Sequence, residues 1–293
     1  KLEKPVLSLT NTDYNEFGLG DLLVEKGDAY EINLQVYYML RDSITGWPGG
    51  KPNAVIPNHP ERSTPYPKKV ILFSPHPDDD IISMGGTFQR LHDQGHEVHV
   101  AYQTSGNIAV TDEFVTRFMD FAVGFEQMFG IDADKSKKIL SEARGYLEKK
   151  KSNEVDTKAI REIKGLIRRC EAAATCRYVG LKEGQWHFQN LPFYETGKVK
   201  KNPVSEIDVQ LTMELLQQVK PHQVFAAGDF EDPHGTHIVC FNIIVEALRR
   251  LKTTEDWVND CWLWMYRGAW HEFEPHEIEM AVPLSPNEVE RKK

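Results

Sequence analysis

Cysteine is scarce in this chain, and none of its four copies belongs to a Cys-x-x-Cys pair. That spacing excludes a zinc ribbon and a dithiol redox centre, and the low density suits a reducing compartment. Apolar runs are short. None approaches the ~20 residues needed to cross a bilayer, and the amino terminus has no signal-peptide core. Positive charge is in deficit as well: 44 acids face 35 bases for a net charge of −9, and no Lys/Arg-dense stripe interrupts the balance. A nucleic-acid polyanion is thereby disfavoured as the main partner. No segment repeats and none is of low complexity. These absences lead to the expectation of a cytoplasmic protein without a membrane span.

The 293 residues suffice for one large or two small domains. Within residues 1–65 the pattern predicts one helix, Ala29 to Arg41, with Ile32, Val36, Tyr37 and Leu40 on one face. From Gly46 to Pro52, and again at Pro57, Pro60 and Pro65, proline and glycine preclude regular structure and predict an extended connector. Trp47 within it suits a surface groove. The expected division is an extension over 1–65 and a main domain over 66–293. The chain opens on Lys in mid-pattern, which suggests a piece of a longer protein.

The strongest signal lies at Lys69 to Asp80. Val70, Ile71, Leu72 and Phe73 run without polar alternation, as in a parallel strand buried on both faces, and Pro75 and Pro77 end it. His76, Asp78, Asp79 and Asp80 therefore sit at a strand's carboxyl end, where open α/β sheets bind ligands. They also precede a helical pattern from 79 to 94, at a helix amino terminus that favours negative charge. One acid there would be an ordinary cap. Three acids beside a histidine exceed what capping requires and point to a metal. A dinucleotide is disfavoured, because the loop is His-Pro-Asp-Asp and not glycine-rich.

Strand and helix then alternate. His96 to Tyr102 predicts a second strand whose His96 and His99 are structural, followed by the loop Thr104 to Asn107 on the same sheet edge as His76. Helical patterns follow near 113–130, 134–150 and 156–177. On the last, the three-residue spacing of Arg168 and Glu171 suggests a surface pair. The aromatic stretch 185–195 reads as a loop or edge strand near a pocket, and Ser205 with Asp208 signals a capping box. His222 to Gly228 predicts another central strand. Its loop carries Asp229, Glu231, Asp232, His234 and His237, and the two histidines can share one side at a helix start, a spacing that suits a metal ligand beside a catalytic imidazole. A final strand is expected near Trp262 to Tyr266, with His271 and His276 beyond it as non-ligands. The fold class expected is α/β, a three-layer Rossmann-like arrangement with a mostly parallel central sheet.

Four features together resemble the LmbE-like, or PIG-L, family of N-acetylglucosaminyl deacetylases over roughly 69–270. They are the strand ending in His76-Pro77-Asp78-Asp79, Gly85-Gly86, Arg168-x-x-Glu171 leading to Val179-Gly180, and His234-x-x-His237. The resemblance implies a metal-dependent N-deacetylase acting on an N-acetylglucosamine-type amino sugar, its conjugate or its phosphate. It implies His76, Asp79 and His237 as ligands of Zn2+, with Fe2+ fitting the same donors. It gives Asp78 the role of general base and His234 that of stabilising the tetrahedral intermediate. Arg168, Asn107 and Asp80 are the corresponding candidates for substrate contact. Asp80 stands where relatives often carry Glu, Asn107 where they often carry Glu, and His234-Gly235-Thr236-His237 where His-x-Asp-His is common. The long chain also resembles one half of bacterial proteins whose other half is similar to glucosamine-6-phosphate deaminase, which would make a fused deaminase-like domain a covalent partner. A homo-oligomer is compatible with this reading. The competing reading from another class is a non-catalytic metal-binding or regulatory domain attached to such an enzyme.

Overall fold

The computed structural model describes residues 2, 4–45, 64–131, 134–151, 154–198, 200–268, 270–274, 277–282 and 284–293. The connector after residue 45, Trp47 included, and His276 lie outside the described residues. The chain divides into two compact units, Lys1–Pro67 with Phe273–Glu290, and Lys68–Glu272 with Arg291–Lys293.

The first unit contains helices α1 (Asn11–Glu16), α2 (Gly20–Lys26) and α3 (Ala29–Thr45). Thr10 starts α1 with a capping box, its hydroxyl accepting from the Asp13 N–H while the Asp13 carboxylate accepts from the Thr10 N–H. Tyr14, Ala29 and Ile32 form its small core.

The second unit holds β1 (Lys69–Ser74), β2 (Glu97–Tyr102), β3 (Trp186–Phe188), β4 (Gln223–Ala227) and β5 (Trp262–Tyr266). They form one sheet in the order β3-β2-β1-β4-β5, and every pairing is parallel. The helices of this unit are α4 (Asp79–Ile82), α5 (Gly85–Asp93), α6 (Asp112–Phe129), α7 (Asp134–Leu147), α8 (Lys158–Val179), α9 (Glu206–Val219) and α10 (Thr236–Leu251); α11 (Pro286–Lys292) closes the chain. Ile71, Phe73, Val224 and Ala226 pack on Leu216 of α9 and on Ile244 and Ala247 of α10. Val70 and Leu72, whose side chains face the other side of the sheet, are likewise fully buried. Covering on both faces is what the unbroken apolar run of β1 requires. The fold is thus the expected α/β architecture.

Two departures have local causes. The helix expected over 79–94 is broken between Ile82 and Gly85 into α4 and α5. Gly85 and Gly86 are weak helix formers, and both are buried where α5 begins. The aromatic stretch contributes β3, only three residues long, whose His187 stacks on His99 of β2 with 3.0 Å between ring nitrogens. No helix among the described residues is long and apolar enough to cross a membrane.

The order of the strands creates room for a site. β1 has β2 on one side and β4 on the other, so the loops leaving β1 and β4 diverge and open a crevice at the carboxyl edge.

Candidate metal centre

β1 ends at Ser74, and the chain turns through His76 and Pro77 into α4. Asp78 occupies the N-cap position without donating or accepting a side-chain capping bond, so its carboxylate is left for other work. Asp79, in the first turn, is 4 % exposed. Its Oδ2 accepts a hydrogen bond from the His76 backbone N–H at 2.9 Å. The same oxygen lies 3.3 Å from His76 Nδ1 and 3.4 Å from His237 Nε2. The latter is a loose contact, and neither nitrogen of the buried His237 ring has a well-formed hydrogen bond among the described residues.

Three donor atoms, one each from His76, Asp79 and His237, thus lie within 4.8 Å of one another. Two imidazoles and a carboxylate are the donor set of a catalytic zinc site with an open position, and iron(II) accepts the same set. A fully buried imidazole with no partner for either nitrogen is costly in a protein interior unless a cation takes one of them. The residues present therefore fit a divalent metal. Burial pushes the Asp79 carboxyl up, but the two imidazoles beside it outweigh burial and hold it low. A carboxylate kept ionised at this depth suits a ligand.

The loop after β4 brings His237 in. Asp232 is its anchor: Oδ1 accepts the His234 N–H at 3.0 Å, and Oδ2 accepts the N–H of Thr236 at 2.7 Å and of His237 at 3.3 Å. The last two are amides of the first turn of α10, which have no partner within the helix. Position 236 is a buried threonine, and the loop is held from Asp232. His234 is exposed, and with His76, Tyr194, Lys201, Ile108 and Thr236 it lines a small depression over the triad. Asp229 anchors the other side of the loop, accepting from the backbone N–H of Trp270 and of His271.

Asp78 is half-buried at the lip of the crevice. Its Oδ2 pairs with Arg168 Nη2 at 2.9 Å. Arg168 therefore spans from α8 to the first cluster and does not form the expected pair with Glu171, which is exposed. Asp80 faces inward at 1 % exposure, accepting from the Tyr102 hydroxyl at 2.9 Å and from the Ser74 hydroxyl at 3.2 Å. Burial, with the charge of Asp79, pushes its carboxyl up to about 7 against the pull of those two hydroxyls. Asn107 is also buried, and its side-chain amide donates to Glu195 Oε2 at 3.1 Å. Polar atoms of Asp80 and Asn107 thus meet protein partners.

Sequence reasoning missed Lys201, and gave Tyr194 and Glu195 only as part of the aromatic stretch 185–195 near a pocket. Tyr194 sets its ring edge-on to His76 at 5.8 Å between centroids, and the Lys201 ammonium sits 3.6 Å above the Tyr194 ring. Burial lowers the Lys201 pKa, opposed by the charges of Glu195 and Asp232. The aromatic stretch signalled a pocket at Tyr194; nothing local marks Lys201, which follows a further turn.

Residues 71–248, more than half the chain and inclusive of both clusters, match the family described as PIG-L: GlcNAc-PI de-N-acetylase. The chain belongs to the PIG-L family. A glucosamine-6-phosphate deaminase-like protein of Bacteroides thetaiotaomicron is 54 % identical over 99 % of this chain, which spans only 44 % of that relative's length. The diacetylchitobiose deacetylase of Thermococcus kodakarensis is 44 % identical over 45 residues, 15 % of this chain and 17 % of that protein. Among solved structures, the N,N'-diacetylchitobiose deacetylase of Pyrococcus horikoshii aligns with a TM-score of 0.46 at 18 % identity, covering 77 % of this chain and 68 % of that one.

Proposed function

We propose that this PIG-L member removes the N-acetyl group from an N-acetylglucosamine-type amino sugar, its conjugate or its phosphate, with one divalent metal, zinc, held by His76, Asp79 and His237. The observation that carries the reading is the convergence of those three donors within 4.8 Å at the carboxyl edge of a parallel sheet. When bound, the metal supplies a Lewis acid that makes water nucleophilic near neutral pH and polarises the acetyl carbonyl.

The chain's own residues account for the rest. Asp78, held at the lip by Arg168, takes the proton of the attacking water and returns it to the departing amine, so acetate and a free amino sugar leave. His234, exposed above the triad, donates to the oxygen that becomes negative as the carbonyl carbon turns tetrahedral. Asp80 and Asn107 act from behind, Asp80 by fixing the turn that carries Asp79 and Asn107 by fixing Glu195. The Bacteroides relative named for glucosamine-6-phosphate deaminase, of whose length this chain spans 44 %, is the reason for testing glucosamine-type substrates first.

The test pairs metal content with acetate release from N-acetylglucosamine and its 6-phosphate, in wild type and in Asp78→Ala. Bound metal in both proteins, with acetate released by the wild type alone, is the expected result. Metal without turnover on either sugar would favour the regulatory reading of the domain.

A further inference from the structure

A cavity of about 610 Å3 lies against α8, lined on one helix face by Lys158, Arg161, Gly165 and Arg169 and opposite by Ser105 and Asn190. The spacing of these helical positions, three, four and four residues, puts them in one row. Ser105 belongs to the loop after β2 that also carries Gly106 and Asn107. Arg168 turns to Asp78, whereas the next residue, Arg169, faces this second chamber. The cavity is thus outside the metal triad and its general base, yet shares with them one loop and one helix.

Its charge is unusual for this chain. The protein carries a net charge of −9, yet three bases, Lys158, Arg161 and Arg169, line this cavity. Arg161 and Arg169 form no ion pair among the described residues. Of the two acids at the cavity, Glu162 lies 3.7 Å from Lys158, an exposed contact. Glu195 is held at the wall by neutral donors, accepting from the Ser105 N–H at 3.2 Å and the Asn107 amide at 3.1 Å, and pairs with neither arginine. Two guanidinium groups remain, each with planar donors suited to phosphate oxygens.

One wall of the chamber carries a glycine. Gly165 sits mid-helix, where glycine costs about 1 kcal/mol relative to alanine. A Cβ there would meet only Ser105 Cβ at 3.5 Å and Arg169 Nη1 at 3.6 Å, ordinary contacts, so glycine is not forced by crowding at this point. What its missing side chain leaves is volume. Asn190, another lining residue, holds a left-handed φ of 47°, which asparagine adopts more readily than most residues. Ile139, Ile163 and Leu166 supply an apolar wall.

We infer that this chamber binds a small phosphorylated sugar, with Arg161 and Arg169 taking the phosphate and Ser105 and Asn190 the hydroxyls. The phosphate has two sources, a group on the substrate itself or a separate sugar phosphate. The inference stands apart from the deacetylase reading, because binding is measured without turnover.

Titration calorimetry on the 293-residue chain, with glucose 6-phosphate, inorganic phosphate and glucose as probes, is the test. Glucose 6-phosphate should bind the wild type, glucose should not, and Arg169→Met or Arg161→Met should weaken the phosphorylated probe by about 10-fold or more. Gly165→Leu, which favours the helix and fills the volume, should abolish binding without loss of charge. A rise in KM confined to phosphorylated N-acetyl sugars in Arg169→Met would assign the phosphate to the substrate. A change in acetate release from unphosphorylated N-acetylglucosamine on adding glucose 6-phosphate would assign it to a separate ligand. Absence of glucose 6-phosphate binding by the wild type overturns the inference, as do equal affinities for glucose and glucose 6-phosphate and wild-type affinity in both Arg169→Met and Gly165→Leu.

Discussion

Replacing Gly106 with alanine should disable the general base without touching a metal donor. Gly106 has a φ of +60°, a left-handed conformation that costs an L-residue about 1–2 kcal/mol. Its added Cβ would lie 2.8 Å from Pro77 Cδ and 3.1 Å from Arg168 Nε. Restoring ordinary carbon contact near 3.5 Å requires a movement of roughly 0.7 Å. The two groups pushed are the residue before Asp78 and the arginine that pairs with it. A misplacement of that order at a catalytic group costs about 100-fold in rate. The expectation for Gly106→Ala is therefore acetate release lowered about 100-fold from N-acetylglucosamine, a stability loss of about 1–2 kcal/mol, and metal content equal to wild type. Full turnover would refute the positioning role of this loop. Loss of metal together with activity would show that the strain reaches the triad instead.

Removal of a ligand should separate from removal of the base. His237→Ala is expected to lose stoichiometric metal and to unfold at the same temperature with and without EDTA, whereas wild type should melt lower after chelation. Near the α6 amino terminus, Lys150 and Lys164 each lie 2.7 Å from Asp112. Burial raises the Asp112 carboxyl, but these two lysines outweigh it and lower its pKa. Its stabilisation is then present above the unfolded-state pKa and lost as pH falls through the lower folded one, so a melting-temperature series below about pH 4 should fall less steeply in Lys164→Met. His187 is moved to about 4, first by burial and then by His99. The unfolded chain binds its proton first, so stability should decline from about pH 6.5 towards 4. His187→Phe should flatten that stretch of the curve.

The sheet was legible because β1 has no polar alternation and β4 lies fully buried, and the first cluster because prolines on either side of His76 fix it to a strand end. The split between α4 and α5 was less so: periodicity runs through Ser83 and Met84, and only the buried glycines after them interrupt it. Spacing alone also paired Arg168 with Glu171, since a sequence records neighbours along a helix and not across a crevice. Asp232 was visible as one acid among several. Its three amide bonds depend on how the loop curls, which residue types do not encode. Lys201 and Glu195 reach the site through tertiary packing, from a segment with only aromatic residues to mark it.

Anomalous diffraction at the zinc absorption edge, on crystals grown without chelator, tests the central claim most directly. One peak about 2.0–2.2 Å from a ring nitrogen of His76, a ring nitrogen of His237 and a carboxylate oxygen of Asp79 is the predicted result. A metal-free triad, or a metal bound elsewhere in the chain, would contradict it.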